Sequence, residues 1–361
     1  MAYTTINKGS DYFNTKTYTG NATTDTAQTG IGFQPDWLWI KERGGTGSHI
    51  LVDAVRGVSA SSTPFIKSNS TGPEVTSNTN DFIKSLDVDG FTLGADSYFT
   101  DVNKNSSTYV AWNWRASGTS GSSNGDGSIT STVSANTTSG FSIVKYTGNE
   151  SGAPKTVGHG LGVAPKMIMI KRLNDTINWG VYHESLGNTK VMFLNTSDTP
   201  TTSSAYWNDT TPTNSVFTVN SNHTVNHTGS DFIAYCFAEK IGYSKFGDYT
   251  GNGNTDGTFV YTGFKPAFVI VKNTTASANW VSTDNGISFN GKGSNGSTCL
   301  FPSSNAVESD AYGLEMYSNG FKFKGSDSAS ATVNASGNIY IYMAFAKAPL
   351  VGSNNIPATA R

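Results

Sequence analysis

The chain has 361 residues, 36% of them hydrophobic and 12% aromatic, with only 14% charged and a formal net charge of -2. With an isoelectric point near 6.2, it has no bulk electrostatic pull toward nucleic acid or anionic lipid, so nucleic-acid binding is not expected. No run of about 18 apolar residues occurs, so membrane insertion by a helix is not expected either.

In chain order, Met1-Ala2-Tyr3-Thr4-Thr5-Ile6-Asn7-Lys8 lacks the apolar stretch of a secretion signal, and residues 1–11 read as an N-terminal anchor segment. From Tyr18 a phrase begins that returns twice: Tyr18-Thr19-Gly20-Asn21, Tyr146-Thr147-Gly148-Asn149 and Tyr249-Thr250-Gly251-Asn252. Pro35, Pro165 and Pro266 follow these tyrosines by 17, 19 and 17 residues. Each proline opens an apolar run: Trp37-Leu38-Trp39-Ile40-Lys41, Met167-Ile168-Met169-Ile170-Lys171 and Phe268-Val269-Ile270-Val271-Lys272. His49, Trp179 and Trp280 stand 14 residues past the proline, and Trp114, Phe237 and Phe345 close the phrases 79, 72 and 79 residues past it.

Matched anchors at matched spacing indicate one unit used three times. The expected fold is all-β: three tandem antiparallel β-sandwich domains of jelly-roll or lectin-like kind. The boundaries are a first sandwich over 12–116, a flexible Gly/Ser/Thr-rich linker over 117–139, a second sandwich over 140–240, a third over 241–348 and a polar C-terminal tail over 349–361. The short junction Glu239-Lys240-Ile241-Gly242 predicts that the second and third units are packed together, with the first freer.

Within a unit, the strand after the proline is apolar on both faces and is predicted to be central, with the proline at its start. The closing strands separate their faces by size. Val110, Trp112 and Trp114, then Ile233, Tyr235 and Phe237, then Ile341, Met343 and Phe345 form a large row, expected to fill the sandwich core, while a small row lets another sheet approach. Asp89-Gly90 and Asn319-Gly320 predict hairpins with type I′ turns. Cys236 and Cys299 fall at non-equivalent places, so no disulfide framework is implied, and Cys236 reads as a small core residue.

Three sets of strings carry a resemblance. They are Phe33-Gln34-Pro35-Asp36-Trp37-Leu38-Trp39-Ile40-Lys41 with Leu51-Val52-Asp53-Ala54-Val55-Arg56-Gly57; Gly158-His159-Gly160-Leu161-Gly162 with Trp179-Gly180-Val181-Tyr182-His183; and Ile233-Ala234-Tyr235-Cys236-Phe237-Ala238-Glu239 running into Gly242-Tyr243-Ser244-Lys245-Phe246-Gly247. Over nearly its whole length the chain resembles the repeated β-rich domain of tail-fibre and other virion proteins of marine bacteriophages. The resemblance implies a non-enzymatic structural protein of the virion surface, made in the host cytoplasm, with other virion proteins as partners and no catalytic residues or cofactor. A tail or fibre-type appendage for assembly and host adhesion is expected, acting as a homo-oligomer that multiplies weak contacts. The alternatives are a capsid decoration or knob protein and a lectin-like module that binds a host-surface glycan.

The residues themselves offer little chemistry. Glutamate occurs only at 42, 74, 150, 184, 239, 308 and 315, never as the close pair that glycan cleavage needs. Asp87-Val88-Asp89-Gly90 is read as a turn rather than a calcium loop, because no glutamate follows at loop position twelve. His223-Thr224-Val225-Asn226-His227 has the spacing of a helical zinc pair but lacks its glutamate, and is read as an exposed polar loop; no metal site is expected. For a sugar contact, the candidates are Trp179 and His183, beside Tyr182, and above all Trp207, whose polar neighbours suggest an exposed ring.

Overall fold

A computed structural model describes residues 4–77, 81–287, 298–324 and 330–349. Short apolar runs rich in aromatic and β-branched side chains, bounded by Gly, Asn and Asp, form strands almost exclusively. The protein is all-β, built of antiparallel sheets packed as sandwiches.

One four-strand order recurs in the three main sheets: opening strand, closing strand, proline strand, return strand. In the first it is Phe13–Thr19, Thr108–Trp114, Trp37–Glu42 and Ile50–Asp53. In the second it is Phe141–Thr147, Asp231–Phe237, Met167–Arg172 and Gly180–His183. In the third it is Ser244–Thr250, Ile339–Pro349, Phe264–Asn273 and Val281–Asp284. The register matches as well, since Trp37 faces Trp114, Met167 faces Phe237 and Phe268 faces Phe345. Each sheet carries a small cap sheet of two or three strands.

The proline strands are buried along their whole length in the first two units, as their two-sided apolar pattern requires. Pro266 departs from the expected position: it lies inside its strand, where register shifts on both sides mark an irregularity that absorbs the missing N–H.

The two faces of each sheet do different work. Small-row residues such as Ala111, or Ala234 and Cys236, pack with Leu38 and Ile40, or Ile168 and Ile170, against the unit's own cap sheet. The large rows do not fill three separate sandwiches. They meet in one shared core, where the rings of Trp114, Phe237 and Phe345 lie 6.5, 5.8 and 6.0 Å apart around a triangle. Trp37 stacks on Tyr235 of the second unit at 4.4 Å, and Phe13 contacts Phe268 and Phe345 of the third at 5.5 Å. The first unit is therefore sealed against both others, contrary to the expected freedom, because its inward face carries four tryptophans with no other cover.

Two segments are more ordered than expected. The 117–139 stretch is not a flexible linker: Ser122–Asn124 pairs with Ser131–Asn136, which extends the second main sheet. Ile129 and Val133 join the core of the second unit, and polar bonds add to this, with Ser134 Oγ 2.7 Å from Ser117 Oγ and Asn136 Nδ2 donating to Ala116 O. In the N-terminal segment, Ile6 is buried in the shared core and Gly9 backs so closely on Ala346 that a Cβ would collide with its carbonyl. The tail beyond Pro349 lies outside the described residues.

The hairpins form, but their glycines do another job. Asp87 pairs with Gly90 and Tyr317 with Gly320, so Val88-Asp89 and Ser318-Asn319 make the turns, and none of these four has positive φ. Gly90 and Gly320 start the return strand, where a Cβ would strike the carbonyl of Gln28 or Val260 in the adjoining strand. Asp87 accepts from Thr92 Oγ1 (2.7 Å) within its own hairpin, whereas Asp89 accepts from Gly32 N (2.6 Å) and Gly30 N (3.0 Å) and ties the turn to the segment after Thr29.

Candidate functional site

The repeated Tyr-Thr-Gly-Asn phrase builds an outer corner in each unit. Tyr18, Tyr146 and Tyr249 donate to Val102 O, Val225 O and Val333 O at 2.7, 2.6 and 2.5 Å. Their rings stack at 5.0 to 5.1 Å on Tyr109, Phe232 and Tyr340. The glycine lets the crossing chain approach, and the N–H of Asn21, Asn149 or Asn252 donates to the side chain of Asn103, Asn226 or Asn334. A Val-Asn pair late in each unit is thus the partner of the phrase, a signal present in the sequence and overlooked.

The seams between units follow the same cyclic logic. Trp179 Nε1 donates to Lys67 O of the first unit (3.0 Å), Trp280 Nε1 to Phe193 O of the second (2.9 Å), and His49 Nε2 faces Phe301 O of the third (3.0 Å). His49 Nδ1 accepts from Trp39 Nε1, which assigns its proton to Nε2. Burial pushes this imidazole well below its ordinary pKa, so it is neutral. Lys41, Lys171 and Lys272 close the proline strands and are fully buried. Lys171 Nζ donates to Thr71 O (2.9 Å) in the first unit and Lys272 Nζ to Ser197 O (2.9 Å) in the second. Burial lowers all three to about 8, which leaves them mostly charged at neutral pH. Their role was also missed, although a lysine ends each of the three apolar runs.

The expected sugar contacts are interior. Trp179 and His183 sit within the shared core and its margin, 0% and 1% exposed. His183 Nε2 faces Tyr342 O of the third unit at 3.1 Å, and burial lowers its pKa to about 4. Trp207 is 2% exposed. Ser203 caps the single helical turn Ser204–Trp207, which swings the indole inward, edge-on to Tyr182, with Nε1 donating to Lys190 O (2.9 Å). Polar neighbours in sequence signalled exposure of the turn but not of the ring.

At the corner of the second unit a different grouping forms. Among the described residues, one atom each from Glu150, His223 and His227 lie within 4.8 Å of one another. Glu150 Oε1 is 3.0 Å from His223 Nε2, and the two imidazoles are edge to face with centroids 4.5 Å apart. The histidines lie in a loop, as expected, but the glutamate the spacing lacked comes from the residue after Asn149. His159, by contrast, is buried within a tight turn, where Nδ1 accepts from Leu161 N.

The architecture defines a class: an all-β protein of three sheets closed on a common aromatic core. The chain belongs to a family described as a domain of unknown function (DUF7483), whose family model matches residues 8–349. No curated protein matches the chain.

Proposed function

We propose that the protein is a non-enzymatic structural component of a bacteriophage particle, displayed on its exterior as a tail or fibre-type appendage that serves assembly and host adhesion. The observation that carries this reading is the shared core. Three sheets buttress one another through Trp114, Phe237 and Phe345, while neutral His49 and His183 and charged Lys171 and Lys272 bind unit to unit at the seams. That is the build of a load-bearing body whose outer corners remain free to vary. The resemblance of its strings to those of phage virion domains supports the same reading, and homo-oligomeric display would convert weak corner contacts into avidity. A glycan contact, if used in adhesion, falls to exposed loop residues rather than to Trp179, His183 or Trp207.

The test is localisation in the intact particle by electron microscopy with a labelled chain. Density on the tail supports the proposal, density on the head moves the protein to capsid decoration, and absence from the particle ends the reading.

A further inference from the structure

We infer that Glu150, His223 and His227 form a divalent transition-metal site, with zinc as its occupant, at the outer corner of the second unit. This inference is independent of any role on a virion.

The donor set is selective. Two imidazoles and one carboxylate suit zinc and its neighbours in the first transition row, whereas calcium and magnesium require oxygen ligands. Zinc bonds of about 2.0–2.1 Å bring ligand atoms to roughly 3.4 Å from one another. Donors already within 4.8 Å of one another are close to that arrangement.

The surroundings hold these side chains ready. Glu150 Oε2 accepts from Thr228 N (3.2 Å), which aims Oε1 at His223. His227 Nδ1 lies 3.0 Å from Ser230 Oγ, which leaves Nε2 as the ligand atom, the usual division of labour in a metal-bound imidazole. The two loops are locked together by Asn149 N to Asn226 Oδ1 (2.7 Å), Gly148 N to Ser230 O (2.8 Å) and Glu150 N to Thr228 Oγ1 (3.0 Å). Folding therefore orders the ligand backbone before a metal arrives, which favours binding.

Comparison among the corners separates scaffold from site. The tyrosine, glycine and asparagine bonds recur in all three, so the corner folds without these ligands. Where the second unit has Glu150, His223 and His227, the first has Ala22, Thr100 and Lys104 and the third has Gly253, Ala331 and Ala335. A simple ion pair between His223 and Glu150 accounts for that contact alone and makes no demand on His227. With His223 exposed, the remaining coordination position opens to solvent and takes water.

The experiment uses the whole chain without an affinity tag, stripped with a chelator and titrated with zinc by calorimetry and with cobalt(II) by visible absorption near neutral pH. The expected result is one equivalent bound, undiminished by excess magnesium or calcium, with a melting temperature raised by zinc through mass action. Binding weakens in acid, because imidazole coordinates in its neutral form. His223→Gln, His227→Gln and Glu150→Gln each should weaken binding by at least about 10–100-fold, the loss found when even supporting groups are removed. Melting of each variant in chelator should match the parent, which separates lost ligation from lost fold. If a variant fails that match, Ser230→Ala, which spares all three ligands, carries the test through a smaller loss of affinity. No uptake at millimolar zinc, or unchanged uptake by His223→Gln/His227→Gln together, overturns the inference.

Discussion

Two pockets occupy the same place in the first and third units and solve the same problem in different ways. Asp53 and Asp284 each end a return strand, are fully buried, and accept from the middle of a neighbouring unit's large row. Tyr235 OH donates to Asp53 (2.8 Å), and Trp112 Nε1 donates to Asp284 (2.7 Å). Asp53 also has Arg56 Nε at 2.6 Å, itself braced by Glu74 at 3.0 Å. Burial alone would lower the guanidinium, but Asp53, Tyr235 and Glu74 around it hold its pKa above the ordinary value. Among the described residues, no cation forms an ion pair with Asp284. Burial raises it to about 6, against the pull of Trp112 and the N–H groups of Gly286 and Ile287. Geometry is thus shared between the pockets while charge is local, and the second unit takes a third route with neutral His183 facing a backbone carbonyl, since Met343 offers no donor.

If the units share one core, the largest effect should come from Trp280→Ala, which removes an indole that also crosses a seam. A loss of about 3–5 kcal/mol is expected, seen by calorimetry as a downward shift of one whole-chain transition. A split profile in which only one component moves would break the shared-core description. Next, Arg56→Met should cost about 3–5 kcal/mol by leaving Asp53 buried without its cation. The pair of Arg43 with Glu308, 24% and 17% exposed against 2% and 0% for Arg56 with Asp53, provides the contrast: Arg43→Met should cost less, about 1 kcal/mol. Equal losses at both sites in chemical denaturation would erase the distinction between buried and rim pairs.

A smaller effect than the loss of Trp280 or Arg56 sharpens the comparison through pH. Asp284 has a folded-state pKa above its unfolded value near 3.9, so its contribution to stability is fully present below about pH 4 and is lost as pH rises through about 6. The wild type should lose about 2–3 kcal/mol relative to Asp284→Asn between those limits. Denaturation midpoints measured across the range should show that slope; a constant difference between the two proteins would mean the carboxylate keeps its charge.

Much of this was legible because strands and turns are local. The alternation around Trp37-Leu38-Trp39-Ile40 predicted a strand covered twice, and it is. Alternation does not say what provides each cover, so the large rows were assigned to separate sandwiches when they meet at the centre. Ser117 to Ser139 looked too polar to be ordered, because its ladder partner, the second opening strand, carries the apolar half of the pairing. Trp207 was misplaced because the flanking residues report on the turn and not on the rotamer. The Glu150 grouping lay beyond reach for another reason. Glu150 is far in sequence from the two histidines, and the bonds between the two loops, among them Gly148 N to Ser230 O, bring it to them.

Cyclic closure of the three sheets has a further consequence. A unit that swung outward would bare its own aromatic face and those of both neighbours at once, so hinge-like opening has no inexpensive intermediate. Movement, and with it the freedom to acquire new residues, is confined to the periphery. A corner can gain a ligand set while the centre keeps its shape.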